Sequence, residues 1–188
     1  MIRVATEADW ATVPEIHRAA FADHGDDVAW LVNELHASEW YEPELSFVAE
    51  AEGRIVGHVM NTWCWLEGGS PRVLQLSPLG VIPAFQRRGH GSALVRASLD
   101  AVRARGEALL LLEGDPRYYS RFGFVRADEL GLIPPPETLH DSAFQVNVLD
   151  SDAELPQGRV AYSPPFVTNA RSARERVRAR GGGACGAF

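Results

Sequence analysis

Val81-Ile82-Pro83-Ala84-Phe85-Gln86-Arg87-Arg88-Gly89-His90-Gly91-Ser92-Ala93-Leu94-Val95 is the stretch around which the rest of the chain is arranged. An apolar, strand-like run from Leu74 to Ile82 reaches Pro83, and two arginines and two glycines then lead into a segment with helical apolar periodicity. Glycines let successive backbone N–H groups turn toward one point, and the first turn of a helix carries unpaired N–H groups and a partial positive charge. A phosphate or pyrophosphate suits such a seat. Gly-x-Gly alone is better explained as a plain strand-to-helix turn, so its neighbours decide the reading.

At 188 residues, 46% hydrophobic and 23% charged, the chain suits one globular domain with a sizeable core. No apolar run approaches the ~20 residues that cross a bilayer, and Met1 is followed by Arg3, Glu7 and Asp9 rather than a signal-peptide core. A cytoplasmic location with no membrane partner is the expectation. The two cysteines, Cys64 between tryptophans and Cys185 in a Gly-rich tail, have neither metal-ligand nor disulfide spacing, and no metal site is expected. The net charge of −7 hides a division: residues 1–67 hold 13 acids and 3 arginines, whereas residues 72–126 hold 4 acids and 9 arginines. A basic middle around the glycine turn suits a polyanionic ligand, and the acidic segments suit a cationic one beside it. All 18 basic residues are arginine, from which no mechanism follows.

Going along the chain, Ile2–Val4 reads as a strand, and Thr6 to Asp9 as a capping box opening a helix to about Phe21 with Val13, Ile16 and Ala20 on one face. A second helix starts at Asp26 or Asp27. His17, His24 and His36 fall in these helices and read as surface or packing residues. Leu45 to Ala51, a Glu52-Gly53 turn and Arg54 to Leu66 form a hairpin, in which Gly57 marks a bulge or a close backbone approach. Trp63 and Trp65 share one face, as core or as a pocket floor. The next strand, Arg72 to Ile82, contains Ser77-Pro78, and a proline there makes the strand bulge, splay or lie at an edge.

After the glycine turn the helix continues to about Arg105. Ala108 to Leu112 is a continuously apolar strand, Asp115 and Pro116 open a short helix, and Phe124 to Arg126 and Phe144 to Asp150 are further strands. Strands alternating with helices predict an α/β domain with a mixed sheet over residues 1–168. Residues 169–188, rich in arginine and glycine, read as a flexible tail.

The order and spacing of these pieces resemble the GNAT family of acetyl-CoA-dependent N-acetyltransferases. Gln86-Arg87-Arg88-Gly89-His90-Gly91 fits that family's signature after a strand and before a helix, and Tyr119 with Gly123-Phe124 fits the tyrosine and Gly-Phe pair near the end of the fold. The resemblance implies a centrally splayed mixed β-sheet flanked by helices, with acetyl-CoA as co-substrate. It further implies that backbone groups of Leu79, Gly80 and Val81 pair with the pantetheine arm, and that N–H groups from Arg87, Arg88, Gly89, His90, Gly91 and Ser92 hold the pyrophosphate. Tyr119 takes the place of the acid that protonates the departing sulfur, with Tyr118 as its neighbour one register away.

An amine attacks only when neutral, and an alkyl ammonium has a pKa of about 10, so a carboxylate or water chain is needed to take its proton. Many members place a glutamate on the strand before the turn, but here it reads Val73-Leu74-Gln75-Leu76-Ser77 with no acid. Glu113 is the leading candidate base, Asp115 the second. The expected function is acetyl transfer to a primary amine of a small molecule or protein; the alternative is a non-catalytic acyl-CoA-binding module. No nucleic-acid partner is expected, and a homodimer is left open. A dinucleotide-binding turn lacks its third small residue, and a P-loop needs a lysine that the chain does not have.

Overall fold

The structure, a computed structural model, describes residues 1–69, 71–138 and 141–179. The chain opens with β1 (Ile2–Val4), a 3-10 helix (Glu7–Ala11), α1 (Val13–Ala20) and α2 (Gly25–His36). An antiparallel run follows, comprising β2 (Tyr41–Ala51), β3 (Arg54–Leu66) and β4 (Arg72–Val81), and leads to α3 (His90–Ala104). The second half contains β5 (Leu109–Glu113), α4 (Pro116–Tyr119), β6 (Val125–Arg126), β7 (Leu132–Ile133), β8 (Phe144–Val148), β9 (Gly158–Ala161) and α5 (Pro164–Ala179). The sheet runs β1-β2-β3-β4-β5-β8-β6, with β9 paired to the end of β3 and to β7. Among the described residues only β4–β5 and β7–β9 pair in parallel, so the sheet is mixed as expected.

β4 decides the shape of the sheet. Val59 faces Leu79 and Asn61 faces Leu76 across β3 and β4, so Met60 alone opposes both Ser77 and Pro78. That is a β-bulge, placed where proline has no N–H to give to the ladder. On the other edge, β4 pairs with β5 only at Leu74–Leu110 and Gln75–Leu111, and from there the two strands part. The proline-containing strand both bulges and splays.

Two apolar layers cover the sheet. On one face α3 lays Leu94, Val95, Leu99 and Val102 over Val59, Trp63, Leu74, Leu76, Leu110 and Leu112. On the other, α1 and α2 cover Val48 and Met60 with Val13, Val28, Val32 and Leu35, and farther along Cys64, Val73, Leu109 and Leu111 pack with Phe144, Val146 and Tyr162. Phe166 of α5 touches both of these clusters. Trp63 is core, and its indole N–H donates to Glu42.

Some boundaries differ from the sequence reading for local reasons. The Thr6–Asp9 capping box is present, with Thr6 N and Oγ1 donating to Asp9 Oδ2 at 2.7 and 2.9 Å, but it opens a 3-10 turn, and Pro14 starts a separate α-helix. The arginine-rich run expected as a flexible tail from residue 169 is helical to Ala179. Arginine and alanine are good helix formers, and Asn169 Nδ2 bonds the Asp27 carbonyl at 2.8 Å, tying α5 to α2. Residues 180–188 of that tail lie outside the described residues. β7 and β9 are short strands without a counterpart in the sequence reading.

Gly57 marks both things expected of it. The β2–β3 register shifts beside it, and a Cβ at 57 would stand 3.1 Å from the Gly80 carbonyl oxygen and 3.2 Å from Leu94 Cδ1. α3 therefore sits close to the sheet there. Gly57→Ala is expected to lower unfolding free energy by about 1–3 kcal/mol through overpacking, read by chemical denaturation.

Candidate active site

The parted ends of β4 and β5 open onto the glycine turn. Arg87 at φ 60° and Gly89 at φ 88° turn the chain left-handedly, Gly89 becomes the N-cap of α3, and Ala93 N–H makes the first bond back to Gly89. The amides ahead of Ala93, at His90, Gly91 and Ser92, belong to the turn that a helix leaves without internal partners. Gln86 Nε2 donates to the Val81 carbonyl at 2.9 Å, locking the end of β4 to the turn. Arg88 lies over the Phe85 ring and 3.7 Å from Glu52, still more than half exposed, so its charge is available to an anion. Leu79, Gly80 and Val81 keep β3 on one side, at Val59, His58 and Gly57, and have no strand on the other. The expected cofactor-contacting residues are thus brought to one continuous edge.

The two tyrosines part company. A Cβ on Gly91 would meet the Tyr118 hydroxyl at 3.0 Å, so this phenol reaches the first turn of α3. The Tyr119 ring instead fits against Gly114, where a Cβ would lie 2.4 Å from it, and packs edge-on to Phe124 with centroids 5.8 Å apart. Burial, with Tyr118 adding to it, pushes the Tyr119 phenol up and holds it protonated.

Glu113 ends β5 on the face away from α3, where Tyr162, reaching over that face, donates to Glu113 Oε2 at 3.0 Å. Asp115 caps α4, accepting from the Arg117 amide at 2.9 Å and pairing with the Arg117 guanidinium, so its structural role is accounted for. Cys64 is buried, its thiol pushed up by desolvation, and reads as core.

The same face holds a pair of histidines, of which the sequence reading took His17 for a surface or packing residue and did not single out His58. His17 of α1 is fully buried, with Nε2 2.8 Å from Nδ1 of His58, whose Nε2 is 3.0 Å from Ser46 Oγ. Burial lowers His17 to about 3 and keeps His58 well below the ordinary value; Asp9 opposes the shift at His58, and His17 and His36 add to it. Among the described residues His17 Nδ1, Thr62 Oγ1 and Gln75 Oε1 are buried without a hydrogen-bond partner. The signal for His17 lay in its spacing, between Ile16 and Ala20 on the apolar stripe. A cavity of about 930 Å³ opens at the other, paired end of β4 and β5, beside Arg72, Leu109 and Gly131, and holds none of the candidate residues.

Residues 10–124 match the family model described as "Acetyltransferase (GNAT) family", and the chain belongs to that family. It is 30% identical over 173 residues to the uncharacterised N-acetyltransferase YjhQ of Escherichia coli (strain K12), covering 89% of this chain and 94% of that one. The crystal structure of the GNAT family N-acetyltransferase YhbS from Escherichia coli in complex with CoA superposes with a TM-score of 0.79 at 30% identity, over 89% of this chain and 91% of that one. A GNAT family acetyltransferase from Brucella melitensis in complex with acetyl-CoA gives 0.72 at 29% identity, over 88% and 97%.

Neutral, buried His17 and His58 are stabilising only where the unfolded chain is also unprotonated. Stability from them is present above the ordinary histidine value of 6.5 and falls as pH drops below it, for His17 toward a folded value of about 3 and for His58 toward a value well below the ordinary one. Each histidine costs on the order of 1.4 kcal/mol per unit of pH in that window. Denaturant titrations from about pH 7.5 down to about pH 5, above the ordinary carboxylate range, are expected to show this loss; His58→Gln flattens it. A flat wild-type curve would show that the imidazoles titrate in place.

Proposed function

We propose that the chain transfers the acetyl group of acetyl-CoA to a primary amine of a small molecule or protein, in the cytoplasm. One observation carries this reading: the unpaired edge of β4 runs directly into the glycine turn and first turn of α3. Membership of the family and the relatives' CoA and acetyl-CoA complexes support it.

The residues present fit the co-substrate. Leu79, Gly80 and Val81 offer an unpaired strand edge to the two amides of a pantetheine arm. Arg87, Arg88, Gly89, His90, Gly91 and Ser92 offer backbone N–H groups and two positive side chains to a pyrophosphate. Gly91 keeps the floor of this seat low, with the Tyr118 hydroxyl beside it.

The chemistry is addition of an amine nitrogen to a thioester carbonyl and loss of a thiolate. Glu113, oriented by Tyr162, accepts a proton from the incoming ammonium. Tyr119, held as the neutral phenol, donates to the departing sulfur. Cys64, a buried free thiol, takes no part.

Calorimetry with acetyl-CoA and thiol release over a panel of primary amines test the reading. Wild type is expected to bind and to release thiol. Tyr119→Phe lowers kcat by about 100-fold with little change in the KM for acetyl-CoA, whereas Tyr118→Phe raises that KM. Glu113→Gln lowers kcat by a similar factor. Absence of binding by wild type refutes the proposal, and binding without thiol release over a broad panel turns the reading to a non-catalytic acyl-CoA-binding module.

A further inference from the structure

Three side chains form a hydrogen-bonded line beneath the unpaired length of β4, and a fourth, Tyr41, stands at its outer end. Its inner end is His17 Nδ1, fully buried and without a partner among the described residues. Nε2 of the same ring meets His58 Nδ1 at 2.8 Å, His58 Nε2 meets Ser46 Oγ at 3.0 Å, and the hydroxyl of half-buried Tyr41 lies beside Ser46, close enough to feel it. Tyr41 stands beside Trp10 and His36 and feels the exposed Glu7. At the inner end, a Cβ on Gly80 would lie 2.8 Å from His17 Nδ1. The imidazole therefore fills the place that a side chain of residue 80 would take. α1 supplies, to the unpaired length of β4, the proton acceptor that the sequence of β4 lacks.

Two hydrogen patterns satisfy the line. In one, His17 and His58 both carry hydrogen on Nε2, each donates outward, and His17 Nδ1 presents a lone pair toward Gly80. A proton accepted there moves the Nε2 hydrogen of His17 to His58, that of His58 to Ser46, and the hydroxyl hydrogen of Ser46 to Tyr41, which releases its own to solvent. One proton enters and one leaves. Both rings are neutral before and after, which suits rings whose burial disfavours imidazolium.

We propose that His17 takes the second proton of the acceptor amine and that His58, Ser46 and Tyr41 conduct a proton from it to the surface. This rests on the acetyl-transfer reading. An ammonium loses two protons in becoming an amide nitrogen, the first to Glu113 before attack. The second is on the nitrogen once its C–N bond has formed, and it passes to His17 Nδ1 as the C–S bond breaks. The sulfur leaves with the electron pair and takes the proton of Tyr119. After product release, Glu113 gives its proton to water, water takes the proton from His17 Nδ1 while another re-enters at Tyr41, and Tyr119 regains one from water. The sum is ammonium plus thioester giving amide, thiol and one proton.

The test uses acetyl-CoA and the primary amine that wild type turns over fastest in the panel. His17→Gln is expected to lower kcat about 100-fold, and Ser46→Ala and Tyr41→Phe about tenfold each, with acetyl-CoA affinity by calorimetry unchanged. Ser46→Thr, which keeps the hydroxyl, restores the rate lost in Ser46→Ala. In mixtures of H2O and D2O the wild-type rate follows a curve, from several protons in flight, and Ser46→Ala straightens it. Tyr41 is half-buried at the rim, so Tyr41→Phe carries the test even where His17→Gln fails to fold. Active wild type with undiminished Tyr41→Phe and Ser46→Ala overturns the relay alone; wild type that neither binds acetyl-CoA nor releases thiol overturns the acetyl-transfer reading and the relay with it.

Discussion

A strand in the middle of a sheet uses the hydrogen-bonding groups of both its edges, and a buried edge left empty is costly. β4 keeps one edge full against β3 throughout and fills the other only as far as Gln75–Leu111. The bulge at Ser77 and Pro78 turns the remainder of the strand away from β5. What results is a length of backbone with directional capacity and no internal use for it, next to a helix end in the same condition. The helices exist to hold this arrangement still: α3 fixes one face through Leu94 and Val95, and α1 and α2 fix the other through Val13, Val28 and Leu35.

The two faces are chemically unlike. Toward α3 the sheet is mostly apolar, and each of its buried amides donates: Asn61 Nδ2 to the Leu45 carbonyl at 2.7 Å and to Ser98 at 3.0 Å, Gln145 Nε2 to the Gly114 carbonyl at 2.9 Å and Asn147 Nδ2 to the Phe122 carbonyl at 2.7 Å. Away from α3 it carries Ser46, His58, Thr62, Gln75 and Glu113, with Tyr162 reaching across. Buried polar groups are normally hydrogen-bonded, and those left without a partner mark places where water or ligand enters. The proposed pyrophosphate seat and the proposed proton acceptors Glu113 and His17 therefore lie on opposite sides of one strand, while Tyr119 packs on the α3 side.

The seat was legible in the sequence because backbone geometry there is imposed by residue type. Gly89 and Gly91, the proline in β4 and the helical stripe of α3 each have few conformational options, and together they left one arrangement. The Gly57 contact was legible for the same reason. The histidine pair was not, because its meaning depends on a contact between His17 and His58 that is 41 residues apart in the chain and invisible to local periodicity. Its only trace was a histidine in an apolar stripe. Likewise Tyr162 gave no sign in the sequence of reaching Glu113, since that contact spans 49 residues and depends on β9 pairing at the far end of β3. The helix through the arginine run escaped notice because composition describes solubility, whereas Phe166 and Asn169 supply the docking that composition averages away.

The Tyr162 contact also divides the molecule differently from its sequence signature. The family match ends at residue 124, yet the side chain that orients Glu113 comes from beyond β9, and the same segment continues into the helix clamped to α2. The last third of the chain is a strap drawn back over a finished fold, fastened at one end to Glu113 and at the other to α2. Change in that strap, which is free of the constraints that fix the glycine turn, would reshape the surroundings of the proposed proton acceptor while leaving the glycine turn as it is.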